Sequence, residues 1–258
     1  MQSAVLEIVN KAGEVLAQGK NVLLYDAAYQ PGDAVVLTVP QTGYYVICLE
    51  DTLGRELVYM KETTYRWAIP FEEGRINYNP RAFVGERHYL TARQATVEEM
   101  ELPRNLAQNV YDCHGNESCF PHAWANVETR GESVFAARNA IDGVIYPWCH
   151  GRYPFESWGI NKREDACWQL DFGRPVCAET LVLTTRADFP HDAWWTSVRL
   201  TLSDGTVKRL QLQKTAEGQC FDLQGAIISG LVLDELKKAE DPSPFPALTQ
   251  VQVFGHEL

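Results

Sequence analysis

Val198-Arg199-Leu200-Thr201-Leu202-Ser203-Asp204-Gly205-Thr206-Val207-Lys208-Arg209-Leu210-Gln211-Leu212 decides the class of fold. Val198, Leu200 and Leu202 alternate with Arg199, Thr201 and Ser203, and beyond the turn Leu210 and Leu212 alternate with Arg209, Gln211 and Gln213. Successive side chains on a strand point to opposite faces, so each run puts one face on a core and the other in water. Ser203-Asp204-Gly205-Thr206 joins them as a tight turn, which makes a hairpin. The last apolar run, Leu248 to Phe254, repeats the pattern with Val251 and Val253 against Gln250 and Gln252.

The first half carries the same period. Residues 4–10, 21–25, 34–39, 43–50, 56–60 and 64–71 are β-rich runs separated by Gly, Pro, Asp and Asn. Gln30-Pro31-Gly32-Asp33 is a turn in which Pro presets one φ and Gly supplies the other. The spacing predicts an antiparallel sandwich. We therefore read an all-β protein of two β-sandwich domains, residues 1–97 and 120–258, joined by a connector over 98–119. Within that connector, Leu102 to Asn109 reads as a short helix, and Phe135 to Asn139 as a helical turn capped by Ser133.

Composition narrows the function. The net charge is −11 and is spread along the chain: 16 acidic against 10 basic residues in 1–119, and 18 against 13 in 120–258. That balance disfavours nucleic acid and anionic lipid as partners. No apolar run approaches the roughly 20 residues of a membrane helix. Seven scattered cysteines and no export leader point to a reducing cytoplasm, or to an extracellular protein if a leader was removed. Cys113, His114, Cys119 and His122 are of metal-ligating types, but Cys113 and His114 are too close to share one ion comfortably, so no zinc is expected.

Three segments of the second half are informative together: Asn139-Ala140-Ile141-Asp142-Gly143, Trp168-Gln169-Leu170-Asp171-Phe172-Gly173-Arg174-Pro175, and Leu248-Thr249-Gln250-Val251-Gln252-Val253-Phe254-Gly255. Their order and spacing over residues 120–256 resemble coagulation factor V/VIII type C (discoidin-like) domains and family 32 carbohydrate-binding modules. The resemblance implies a galactose-binding-like jelly roll, with Trp168, Leu170 and Phe172 pointing inward. It also implies a carbohydrate ligand held on loops at one end. Many such domains hold a structural calcium at the Asp-Gly loop. Here Val144 follows Gly143, and Gln250 stands where the resemblance would align a Glu. A hard cation wants several oxygens, so a loop stapled by hydrogen bonds is the expected state, with calcium at Asp142 as the alternative.

Six of the seven tryptophans lie between Trp124 and Trp195, among loops rich in Arg, Asp and His. Aromatic faces pack on the C–H side of a pyranose, and planar Arg and Asp groups bond vicinal hydroxyls. Arg186, Asp188, His191, Asp192 and Trp194 crowd one loop, and Arg152, Trp158 and Asn161 a second that should approach it. These eight are the candidate ligand-binding residues. Of the adjacent Trp194 and Trp195, at least one should be buried. No catalytic residue is assigned, because no nucleophile elbow, phosphate loop or zinc-ligand helix is present. The expectation is a non-catalytic sugar binder. The alternatives are a protein-interaction module on the same fold, or a carbohydrate-active enzyme using His191 and Asp192.

Overall fold

The computed structural model describes residues 3–186 and 193–258. Its strands are β1 (Val5–Val9), β2 (Val15–Lys20), β3 (Val22–Tyr25), β4 (Ala34–Thr38), β5 (Gly43–Cys48), β6 (Glu56–Met60), β7 (Thr64–Ala68), β8 (His88–Gln94) and β9 (Arg104–Asn105). They continue as β10 (Cys119–Phe120), β11 (His122–Ala125), β12 (Trp158–Gly159), β13 (Trp168–Thr185), β14 (Trp195–Leu202), β15 (Val207–Gln211), β16 (Gln219–Lys238) and β17 (Ala247–Glu257). The described chain is nearly all β.

Two sheets enclose the first core, one ordered β2-β1-β4-β7 and the other β10-β6-β5-β8-β3. Leu6, Ile8, Val35 and Leu37 from one meet Tyr45, Ile47, Val58 and Leu90 from the other in a single buried cluster. The six runs read in the first half correspond to β1 and β3 to β7. Two further strands carry little sequence signal. β2 is almost wholly exposed, so it has no buried face to mark its period. In β8 the inward positions include His88 and Ala92, which an apolar pattern does not register.

The second core is wrapped by one eight-stranded sheet, β12-β17-β13-β16-β14-β15, with β11 added to β13 and β9 to β17. The hairpin forms as read, with Val198 opposite Leu210 and Thr201 opposite Val207. Trp168, Leu170 and Phe172 are buried together with Val251 and Val253. The pairing of β13 with β16 shifts between Asp171 and Val176, and such an irregularity bends a strand. Gly173 sits in that bend at φ +71°, where a Cβ would fall 2.4 Å from the Phe120 ring.

Residues 98–119 contribute to both cores. Leu106 and Ala107 pack into the second, Val110, Tyr111 and Cys119 into the first. The helix expected over 102–109 is absent. A single turn forms earlier at Val97–Glu101, with Thr96 and Glu99 making a reciprocal capping box, and Leu102 before Pro103 is extended. Nor does Ser133 cap a turn. Its hydroxyl bonds the Glu73 carbonyl, and two 3-10 turns, Ser133–Phe135 and Ala137–Ile141, follow.

The halves are fastened by buried polar groups. Glu257 on β17 accepts from Arg174, Arg104 and the Tyr44 hydroxyl of β5. Although burial alone would raise its pKa, those donors hold the Glu257 carboxyl below the usual range. Arg138 donates to the carbonyls of Val110 and Asp112, both at 2.8 Å, with its guanidinium 4.7 Å from the Tyr78 ring centre.

Candidate functional site

Thr129, Arg130 and Phe135, residues 159–161 and 245–247, and His150 and Arg186 converge on a cleft of about 170 Å³ beside the second core. Its geometry depends on local backbone choices. At Gly159 of β12 a Cβ would fall 2.5 Å from Thr129 Oγ1 and 3.2 Å from the Phe135 side chain, so the absence of a side chain lets those walls close. Asn161 adopts φ +48°, a conformation Asn tolerates better than most residues, and its backbone N–H donates to Thr129 Oγ1 at 2.9 Å.

Two phenyl rings flank the opening. The Arg130 guanidinium lies 5.7 Å from the Phe135 ring centre and also pairs with Glu132. The Lys162 ammonium lies 4.7 Å from the Phe245 ring centre. Arg186 is 4% exposed, with its Nη2 donating to the Phe245 carbonyl at 2.6 Å, so it shapes the wall. The arrangement offers apolar faces beside amide, hydroxyl and cationic groups. Its volume lies below the roughly 300–1,000 Å³ of drug-sized pockets and suits a small ligand.

The sequence expectations divide. Asn161 and Arg186 come together in the cleft, as does His150 from the second loop. Arg152 is exposed but lies outside the lining. Trp158 is a correction: it is 0% exposed, with its indole N–H on the Val127 carbonyl at 2.8 Å and its ring 6.4 Å from Trp195. It belongs to β12, whose two residues pair with Ala247 and Leu248, and so presents no face to a ligand. Trp195 is buried and Trp194 half-buried outside the lining, which follows from strand alternation. Asp188, His191 and Asp192 lie outside the described residues.

Sequence reasoning missed Thr129, Arg130, Phe135 and the Phe245-Pro246 wall. Phe245 carried a usable signal, an aromatic in the Pro-rich segment directly before the last strand. Arg130 carried none, because its place depends on a backbone at φ +55°.

Beneath the Asp-Gly loop lies a second polar centre. Asp142 Oδ1 accepts the Val144 N–H at 2.8 Å, while Asp142 Oδ2, both Glu156 carboxyl oxygens and Ser157 Oγ have no hydrogen-bond partner among the described residues. Burial is the main reason the Asp142 carboxyl is pushed up to about 7, against the pull of Arg138. Burial, then the charge of Asp142, pushes Glu156 up to about 9. Glu156 is thus a second carboxyl within electrostatic reach of Asp142. Gln250 is itself fully buried on β17.

No family model and no curated protein matches the chain. Solved structures do. The chain is similar to the lectin domain of lectinolysin complexed with Lewis B antigen, at 16% identity and TM-score 0.44, over 59% of this chain and 96% of that one. It is similar to the family 32 carbohydrate-binding module of C. perfringens NanJ in complex with galactose, at 13% identity and TM-score 0.39, over 51% and 91%. A Streptococcus pneumoniae fucose binding module matches at 12% identity and TM-score 0.45, over 60% and 96%. These three neighbours are a lectin domain and two carbohydrate-binding modules.

Proposed function

We propose that the chain is a non-catalytic carbohydrate-binding protein whose second half, residues 120–258, is a discoidin-like jelly-roll domain carried beside a β-sandwich domain of residues 1–97. One observation carries the site: the cleft sets Phe135 and Phe245 beside Asn161, Thr129 and Arg130. Phenyl faces take the C–H side of a sugar ring, and the polar groups fix its hydroxyls. Arg186 supports the Phe245 wall through its carbonyl. Asp188, His191 and Asp192 follow Arg186 in sequence and remain candidates on sequence grounds.

The Asp142 centre fits a hard cation by its donor set. Asp142 and Glu156, with three unpartnered carboxyl oxygens within electrostatic reach of each other, are the residues that would hold it. Bound there, it would take the place of the proton that Glu156 retains and stiffen the loop leading to His150. Seven unpaired thiols support a reducing compartment.

The test is calorimetric titration with neutral and acidic mono- and oligosaccharides. A saturable ligand whose affinity falls in both Asn161→Ala and Phe245→Ala supports the reading, and a ligand indifferent to both sinks it. A second reading, a protein partner, is favoured by Ile145, Tyr146 and Trp148, which are all exposed on the loop before His150. A partner captured through that loop would be lost in Trp148→Ala and retained in Asn161→Ala.

A further inference from the structure

A second cleft, of about 810 Å³, lies on the outer face of the β11 and β13 pair where it meets the first half, and it shares no residue with the cleft already described. Strand register fixes its floor. His122 stands opposite Asp171 and Trp124 opposite Gln169. Residues two apart on a strand share a face, as do directly opposed residues, so these four form one outward patch. The alternate positions, Ala123, Leu170 and Trp168, enter the core. Trp124 is 48% exposed on this patch.

One buried carboxylate pins floor and wall together. Asp112 is 0% exposed. Its Oδ1 meets His122 Nδ1 at 2.7 Å and accepts Asn116 Nδ2 at 2.9 Å, while its Oδ2 accepts the Ala123 N–H at 2.9 Å. Asn116 in turn closes the wall, with its Oδ1 accepting the N–H groups of Ser118 and Cys119. The Ser118 carbonyl accepts the Lys61 N–H, which ties in the first half. The cleft is therefore organised before any ligand arrives, which lowers the entropy cost of binding.

The lining chemistry selects a ligand. An accessible indole beside amide, carboxylate and imidazole groups matches a ring with an apolar C–H face and a hydroxylated edge. Glu62, Glu117 and Asp171 outnumber the lysine of the lining, Lys61, whose ammonium lies 5.3 Å from the Phe120 ring centre, and the two histidines of the lining, His114 and His122, are each matched by a carboxylate, Glu128 and Asp112. Such a wall attracts cations and repels anions.

We propose that this cleft is a separate sugar site, taking a pyranose with its C–H face on Trp124 and its hydroxyls on Asp171, Gln169 and His122, and preferring a protonated amino sugar to a uronic acid. It stands independently of the loop-end cleft. Calorimetric titration of the full chain with glucosamine and with glucuronate tests it. Glucosamine should saturate and bind more tightly than glucuronate, weaken at least about tenfold in Trp124→Ala and be unchanged in Asn161→Ala. Asp171→Asn, checked for folding by circular dichroism, gives a second reading of the same loss. The proposal is overturned by no saturable glucosamine heat, by glucuronate binding more tightly, by unchanged affinity in folded Trp124→Ala and Asp171→Asn, or by loss in Asn161→Ala instead.

Discussion

The two halves place their tryptophans differently. Around the first core, Trp67, Tyr78, Phe83 and Tyr111 pack in edge-on and tilted contacts at centroid separations of 5.2 to 6.4 Å and all are buried, while Tyr89 stays exposed. In the second, Trp158, Trp168 and Trp195 fill the core, but Trp124, Tyr146 and Trp148 remain exposed and Phe245 is half-buried at a cleft mouth. Ile145, Tyr146 and Trp148 are exposed within four residues of one another, which makes that loop a candidate interaction surface. The difference teaches that the exposed indoles, Trp124 and Trp148, both belong to the second half, whereas the single tryptophan of the first, Trp67, is core.

The largest way to break that comparison is Trp67→Ala, which empties the centre of the first core. It should cost about 3–5 kcal/mol in a denaturant titration, while the folded fraction keeps its sugar affinity. Loss of affinity in folded protein would show that the first half also recognises the ligand.

Next in size is a pH effect inside the second half. Folded Glu156 keeps its proton to about 9, against an ordinary value of 4.5. Between those values the unfolded chain releases that proton and the folded chain retains it, so metal-free stability should fall as pH rises from about 5 toward 9. Glu156→Gln should flatten the slope, and calcium should raise the melting temperature most at the alkaline end. A flat profile in the wild type would remove the case for a strained carboxylate pair.

Phe245→Ala sharpens the contrast from the other side: sugar affinity should drop about tenfold with a small change in stability. The smallest effect belongs to Trp148→Ala, which should leave stability within about 0.5 kcal/mol because its indole is 56% exposed.

Legibility in the sequence followed the same physical line. Strands with one buried face, such as Val198 to Leu202, announce themselves by alternation, and the motif segments carry inward residues at the positions read. β2 has no such face and gave no signal. Asn161 and Arg186 were singled out because polar residues cluster in loops, and both line the cleft. Trp158 was misplaced because a two-residue strand is too short to show a period, and its burial comes from pairing with Ala247 and Leu248 almost ninety residues away. Glu156 was overlooked as the partner of Asp142 for a related reason, since the fold and not the sequence brings the two carboxyls into electrostatic reach.

The most direct measurement is calorimetric titration of wild type, Asn161→Ala and Phe245→Ala against one panel of neutral and acidic sugars. The account predicts a saturable sugar for the wild type whose affinity falls in both variants while their melting temperatures stay close to wild type. A sugar bound equally by all three folded proteins, or none bound by the wild type, would contradict it.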